Sequence, residues 1–141
     1  MPFLAQPARS RLRATTSLSP AQVKHVCLEA AAAAKGDLWN GRQRVRRTST
    51  TPKADVYEVR DALGTRRLML LRVVTQTSGG RTNVRVDVEE AQLVAPSRLL
   101  RMKETKVLAG HTLRQFLAAA ADGIRAGDAA ANVKVRADLE V

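Results

Sequence analysis

Residues 66–94 contain two apolar segments joined by Ser78-Gly-Gly-Arg81, and this pattern constrains the fold more than any other. In the second segment Val84, Val86 and Val88 alternate with polar residues, which predicts a strand with one buried face and one exposed face. The first segment has apolar side chains at successive positions, as a central strand does. A two-residue Gly-Gly connection favours a tight hairpin turn. We therefore predict that the two segments form the central hairpin of an antiparallel sheet.

Two Ala-rich segments are predicted to be amphipathic helices. The first begins at Pro20, because Ser19 is a favourable N-cap and Gln22 completes a capping box. It ends at Gly36, and the second helix ends at Gly127. Each has an apolar stripe at helical spacing, formed by Val23, Val26, Cys27, Ala30 and Ala34 in the first and by Leu113, Phe116, Leu117, Ala120 and Ile124 in the second. The small alanine side chains predict a close approach of helix to sheet.

The remaining segments complete an α+β fold. Further strands are predicted at 9–16, 42–48, 54–60 and 97–106. The apolar stripes of both helices need a surface to cover, and one face of the sheet provides it. We predict an antiparallel sheet of about five to six strands with both Ala-rich helices on one face. A single domain spans 9–128, residues 1–8 are a flexible tail, and 129–141 form a C-terminal edge strand or tail.

The composition indicates a single domain with an unusual charge. The 141 residues suffice for one hydrophobic core. The formal net charge is +11, and aromatic residues make up only 3% of the chain. Such a charge predicts attraction to polyanions. An Arg- and Ala-rich composition would also follow from a G+C-rich genome, so two explanations of the charge stay open.

The sequence also bears on location. One cysteine cannot form an internal disulfide. No apolar run approaches the roughly 18 residues of a spanning helix. The basic N-terminal segment lacks the apolar core of a secretory signal. We predict a cytoplasmic protein.

No set of reactive side chains converges in the sequence. His25 lies two residues before Cys27, so the two side chains are predicted to lie on different sides of their helix. One cysteine and two separated histidines are too few for a typical metal site. Asp87 and Glu89 alternate with valines predicted to be buried, and so they face solvent. The Gly-rich turn joins two strands, unlike a phosphate-binding loop that leads into a helix. We predict no enzymatic activity, no cofactor and no metal.

Basic residues are the remaining candidates for function. Arg42, Arg44 and Arg46 share one face of a predicted strand, and Arg60 and Arg72 lie on neighbouring strands. If they face away from the helices, they form a basic sheet surface. Aromatic platforms for base stacking are missing, so contact with phosphates is expected without reading of base sequence. We predict a non-catalytic binding domain for a non-specific nucleic acid, another polyanion or an acidic protein. A merely solvated face is the alternative.

A resemblance suggests a second function. The segment from Leu18-Ser-Pro-Ala-Gln-Val to Lys35-Gly-Asp-Leu-Trp-Asn-Gly-Arg42, with the hairpin and the helix from His111 to Asp128, resembles small bacterial α+β proteins. The order of elements is similar to a reduced helix-grip (START-like) domain. That resemblance implies a carrier of a small hydrophobic ligand between the sheet and the last helix, lined here by Leu71, Val73, Val86, Phe116 and Ile124. The Ala-rich helices depart from that family and suggest a tightly closed groove. A homo-oligomer using an edge strand or Trp39 is a third possibility.

Overall fold

A computed structural model describes residues 3–5, 11–35, 42–94, 106–107 and 109–136. It confirms the predicted α+β fold, an antiparallel sheet with two helices. The helices are α1 (Pro20–Ala33) and α2 (Gly110–Gly127). The strands are β1 (Phe3–Ala5), β2 (Leu12–Thr16), β3 (Arg44–Thr50), β4 (Ala54–Arg60), β5 (Arg67–Ser78), β6 (Arg81–Val94), β7 (Lys106–Val107) and β8 (Asn132–Val135).

The sheet is organised around the β5–β6 hairpin. Its order is β3-β4-β5-β6-β2-β8, and β1 and β7 also pair with β6. The hairpin closes at the Ser78↔Arg81 pair. Gly79 and Gly80 both have positive φ, +59° and +75°. This conformation is the one that a tight two-residue hairpin turn requires, and glycine adopts it without steric cost.

One face of the sheet, the inner face, forms the hydrophobic core with the helices. Tyr57 lies opposite Leu71, and Val86 lies opposite Leu12 on β2. These side chains and the apolar stripes of both helices belong to one buried cluster. Phe116 of α2 packs on Tyr57 with ring centroids 5.5 Å apart. Each such fully buried large side chain contributes about 1.5–3 kcal/mol, so the inner face provides most of the stabilisation.

The two helices pack closely against each other as well as on the sheet. A Cβ atom added at Gly123 of α2 would lie 2.5 Å from Val26 Cγ1 of α1. This distance is below any normal contact. The two helices therefore approach each other very closely at a glycine, a contact that the sequence did not predict.

This contact generates a prediction for Gly123→Ala. The added methyl group overpacks the helix interface, which typically costs about 1–3 kcal/mol, and the higher helix propensity of alanine offsets about 1 kcal/mol of it. We expect a net loss in the free energy of unfolding, measured by urea denaturation. Val26→Ala in the same chain should recover most of that loss. A Gly123→Ala variant as stable as the wild type would contradict this packing.

Several element boundaries differ from the sequence prediction. Phe3–Ala5, assigned to the flexible tail, pair with β6. The strand predicted at 9–16 is observed from Leu12, and β3 begins at Arg44, so that Arg42 precedes the strand. The C-terminal segment, for which the sequence allows an edge strand or a tail, contains β8, which pairs with β2 at an edge of the sheet. Apart from Lys106, the strand predicted at 97–106 lies outside the described residues.

The helix boundaries follow local side-chain chemistry. The capping box predicted at the start of α1 is present, with Ser19 Oγ accepting from Gln22 N–H and Gln22 Oε1 accepting from Ser19 N–H. The helix ends at Ala33, and Gly36 lies outside the described residues. At the end of α2, Asp128 Oδ2 accepts from Thr16 Oγ1 at 2.9 Å and from Ser17 N–H at 2.8 Å. Asp128 thereby connects the end of α2 to the segment between β2 and α1.

Asp128 should make stability depend on pH. The hydrogen bond from Ser17 N–H, with those from Thr16 and Ala130, holds the pKa of the Asp128 carboxyl below its ordinary value of 3.8. A carboxyl whose pKa is lower in the folded state stabilises above the unfolded-state value, and the stabilisation is lost as pH falls through the folded-state value. We expect Asp128→Asn to lower the free energy of unfolding at pH 7, with the difference narrowing below about pH 5. Denaturant titrations of both proteins across pH measure this difference, and a difference that stays constant as pH falls would contradict the role of the Asp128 carboxylate.

Candidate functional site

The face of the sheet opposite the helices, called here the outer face, collects the charged side chains of the strands. Along β4, Asp55, Tyr57 and Val59 are buried, whereas Glu58 and Arg60 lie on the other side. The same alternation places Arg72 and Arg85 on the outer face of β5 and β6. The pleat of the strands therefore separates apolar and charged side chains onto the two faces.

The centre of the outer face is balanced by ion pairs. Two of the predicted residues take part, because Arg60 Nε lies 2.9 Å from Glu58 Oε2 and Arg72 Nε lies 2.6 Å from Glu89 Oε1. Arg67 pairs with Glu58 and Glu90, and Arg85 Nε lies 2.9 Å from Asp87 Oδ2. Exposed pairs of this kind contribute only about 0–1 kcal/mol each to stability. Their main effect is to neutralise the central strands.

The β3 margin of the outer face, formed by Arg44 and Arg46, is not balanced in this way. Both side chains are exposed, and neither has an ion pair or hydrogen bond with another described residue. Arg42 is also exposed but stands before the strand. Arg44 lies opposite Arg60, so that two cations face each other across β3 and β4.

A second basic region, which we call the cation ladder, comprises Arg85, Arg13 and Lys134. Arg13 lies directly opposite Arg85 on β6 and opposite Lys134 on β8. Neighbouring strands are about 4.8 Å apart, so the three cations form a row across the sheet. Within the described part of the chain, Arg13 and Lys134 have no acidic or hydrogen-bonding partner. Like charges directly opposite each other destabilise a sheet, so this row costs folding free energy.

Next to the cation ladder runs a row of uncharged polar side chains, the polar row. This row lies two residues further along the strands than the ladder, and each member is paired with the next across the sheet. Its members are Gln76, Asn83, Thr15 and Asn132. Thr15 Oγ1 donates to Asn83 Oδ1 at 3.1 Å. The two rows line a concavity of about 380 Å³ on the outer face. This volume lies within the usual range for ligand sites.

A buried ion cluster holds the β3–β4 hairpin against α1. Asp55 is only 2% exposed. Its Oδ1 accepts from Thr50 Oγ1 at 2.5 Å and lies 3.3 Å from Lys24 Nζ, and its Oδ2 lies 3.6 Å from Arg47. A buried carboxylate requires such compensation. Arg47 is thereby directed to the inner side of the sheet, away from the β3 margin. The sequence prediction missed this cluster, although the alternation of Asp55 with Tyr57 and Val59 places all three on one face.

The single cysteine lies close to this cluster. Burial, with a smaller contribution from the charge of Asp55, raises the pKa of the Cys27 thiol to about 12. A thiol in that state is a poor nucleophile at neutral pH. His25 is exposed, and its Nε2 lies 2.9 Å from Glu29 Oε1. Cys27 and His25 therefore do not form a pair of nucleophile and general base.

The residues of the predicted ligand groove fill space instead of lining it. Each is at most 1% exposed, and they are Leu71, Val73, Val86, Phe116 and Ile124. A void wide enough for a ligand would leave accessible area on the side chains around it. All five side chains belong to the buried core cluster that the sheet and the helices share.

The described residues show neither a metal site nor a membrane-spanning helix. Among the described residues, no group of three or more His, Cys, Asp or Glu side chains is placed to hold a metal ion. No helix in the described ranges is long and apolar enough to cross a membrane. Comparison with protein-family models, curated proteins and solved structures finds no match to this chain.

Two members of the cation ladder, Arg13 and Lys134, were missed by the sequence prediction. The alternation in 9–16 and in 132–135 would have placed each of them on an exposed face. Their juxtaposition with Arg85 depends on how β2 is inserted between β6 and β8, and no local pattern specifies that insertion. The relevant signal is the pairing of strands that are more than 50 residues apart in sequence.

The cation ladder predicts that Arg13→Gln stabilises the protein. Removing the central cation relieves the like-charge contact with Lys134, worth about 0.2–1 kcal/mol, and a weaker contact with Arg85, whose charge Asp87 already offsets. We expect a higher free energy of unfolding in urea at low salt, and a smaller gain at 1 M salt, where charges are screened beyond about 3 Å. Arg114→Gln, an exposed substitution on α2, changes the net charge equally and should have less effect. An Arg13→Gln variant that is less stable than wild type would contradict the described repulsion.

Proposed function

We propose that this protein is a non-catalytic domain that binds a polyanionic partner through the outer face of its sheet. The observation that supports this most directly is the distribution of acidic residues. They neutralise the centre of the face, whereas Arg44 and Arg46 on one margin and Arg13 and Lys134 on the other have no partner among the described residues. Contact with phosphates or similar groups would supply the missing negative charge.

The separation of the two basic margins favours an extended partner. Four strand spacings separate β3 from β2, which is about 19 Å before the twist of the sheet is considered. A small anion could engage only one margin. A polymer with anionic groups along its length could engage both margins at once.

The chemistry of the face favours recognition of charge without base sequence. Tyr57 and Phe116 are the aromatic residues whose side chains the structure describes, and both are fully buried on the inner side. Neither would provide a stacking platform for bases on the outer face. Arginine and lysine contacts to a phosphate backbone position a protein but carry no direct sequence information.

Binding should be strongly salt-dependent. If the four unpaired cations each neutralise one phosphate of a duplex, the logarithm of affinity falls with a slope of about −3.6 against the logarithm of salt concentration, or about 150-fold between 50 and 200 mM. Fluorescence anisotropy with a labelled duplex measures this slope. We expect Arg44→Gln/Arg46→Gln to reduce its magnitude by about 1.8.

The control for this experiment is Arg114→Gln/Lys53→Gln, which removes the same charge from α2 and from the β3–β4 turn. It should leave the slope nearly unchanged. Loss of binding to the same degree in both double variants would indicate a response to net charge and would contradict a specific face. Absence of binding at 50 mM salt would contradict the proposed function itself.

A further inference from the structure

We infer that the partner is double-helical RNA, held by its sugar–phosphate backbone across the cation ladder and the polar row. The inference rests on the proposed function and specifies its ligand. It follows from the parallel arrangement of the two rows, from the chemistry of the polar row, and from the composition of the outer face around them.

The two rows offer two different kinds of contact side by side. The two rows cross β6, β2 and β8 two residues apart, which is about 6.7 Å along each strand, and the polar row continues to Gln76 on β5. The ladder provides guanidinium and ammonium donors for phosphates. The polar row provides side-chain amides and a hydroxyl, which both donate and accept hydrogen bonds. A ligand matched to both rows has anionic groups that alternate with uncharged polar groups.

Several side-chain amide groups of the polar row are not used in hydrogen bonds within the described chain. The side chains of Gln76 and Asn132 are exposed and make no hydrogen bond with the rest of the described chain. The Thr15–Asn83 hydrogen bond uses Oδ1 of Asn83 and leaves its amide donors available. A ribose 2′-hydroxyl is both donor and acceptor, and it distinguishes RNA from DNA. Phosphate contacts by themselves would not need these amides.

The shape and composition of the site favour a duplex over a single strand. Single-stranded nucleic acids are usually held by stacking their bases on aromatic side chains, and the two aromatic side chains that the structure describes, Tyr57 and Phe116, are buried in the core. An RNA duplex turns its bases inward and displays 2′-hydroxyls and phosphates along a wide, shallow minor groove. A broad sheet surface can contact such a groove without inserting a helix.

The experiment compares duplex RNA, duplex DNA of the same sequence and the corresponding single-stranded RNA, each by fluorescence anisotropy at equal salt. We expect duplex RNA to bind roughly five- to tenfold more tightly than duplex DNA, the effect of about one net hydrogen bond. Single-stranded RNA should bind more weakly than duplex RNA. Equal affinity for RNA and DNA duplexes, or tighter binding of the single strand, would overturn this inference and leave polyanion binding in place.

Two matched variants separate the roles of the rows. Gln76→Ala/Asn132→Ala should lower the affinity for duplex RNA to that for duplex DNA without changing the salt slope. Arg13→Gln/Lys134→Gln should weaken both duplexes equally and reduce the magnitude of the slope by about 1.8. Thr77→Ala, on the opposite side of β5 from Gln76, is the control. An equal loss for RNA and DNA in the amide variant would contradict the assignment of the polar row to ribose, and binding to none of the three ligands would remove the proposed function as well.

Discussion

The covering of one sheet face by α1 and α2 determines how every other side chain on the strands is used. Strand side chains alternate between faces, so residues that do not join the core must lie on the outer face. Tyr57, Leu71 and Val86 commit their strands to one orientation. The charged residues between them are then displayed together on a single surface. The position of the candidate site is thus a geometric result of how the core is packed.

The charges on that surface fall into two energetic classes. In the centre, arginines such as Arg60 and Arg72 have acidic partners, so their charges add no uncompensated repulsion to the folded state. In the cation ladder, Arg13 and Lys134 lie opposite each other without such partners, and of the three cations only Arg85 has an acid, Asp87. An arrangement that lowers the stability of the free protein is common at sites that bind a ligand of opposite charge. An acidic residue in this row would replace the repulsion between Arg13 and its neighbours by attraction and would stabilise the fold.

The sequence was sufficient for features that depend on neighbouring residues. The Gly-Gly hairpin, strand β4 and the capping box of α1 were predicted correctly because turn geometry, alternation and cap chemistry are local. The α+β class followed from the need to cover two apolar helix stripes. Long-range pairing was not predictable in this way, since Phe3–Ala5 become a strand only through their pairing with β6.

The candidate site was predicted in part for the same reason. Arg44 and Arg46 belong to one strand, and their shared face follows from alternation. The ion pair of Arg72 with Glu89 depends on the cross-strand register and on the bulge at Glu89, because Leu70 pairs with Glu90 and Leu71 pairs with Val88. The ion pair of Arg60 is instead local, since Glu58 lies two residues away on the same strand. The position of Arg47 depends on a buried carboxylate that comes from a different strand.

The insertion of β2 between β6 and β8 also has a consequence for biosynthesis. Arg13, Arg85 and Lys134 leave the ribosome in that order, and at about 5–20 residues per second the first precedes the last by about 6–24 s. During that interval the emerging chain can display at most two of the three cations in register. The complete row exists only after β8 has emerged, so a nascent chain that still lacks β8 presents an incomplete row.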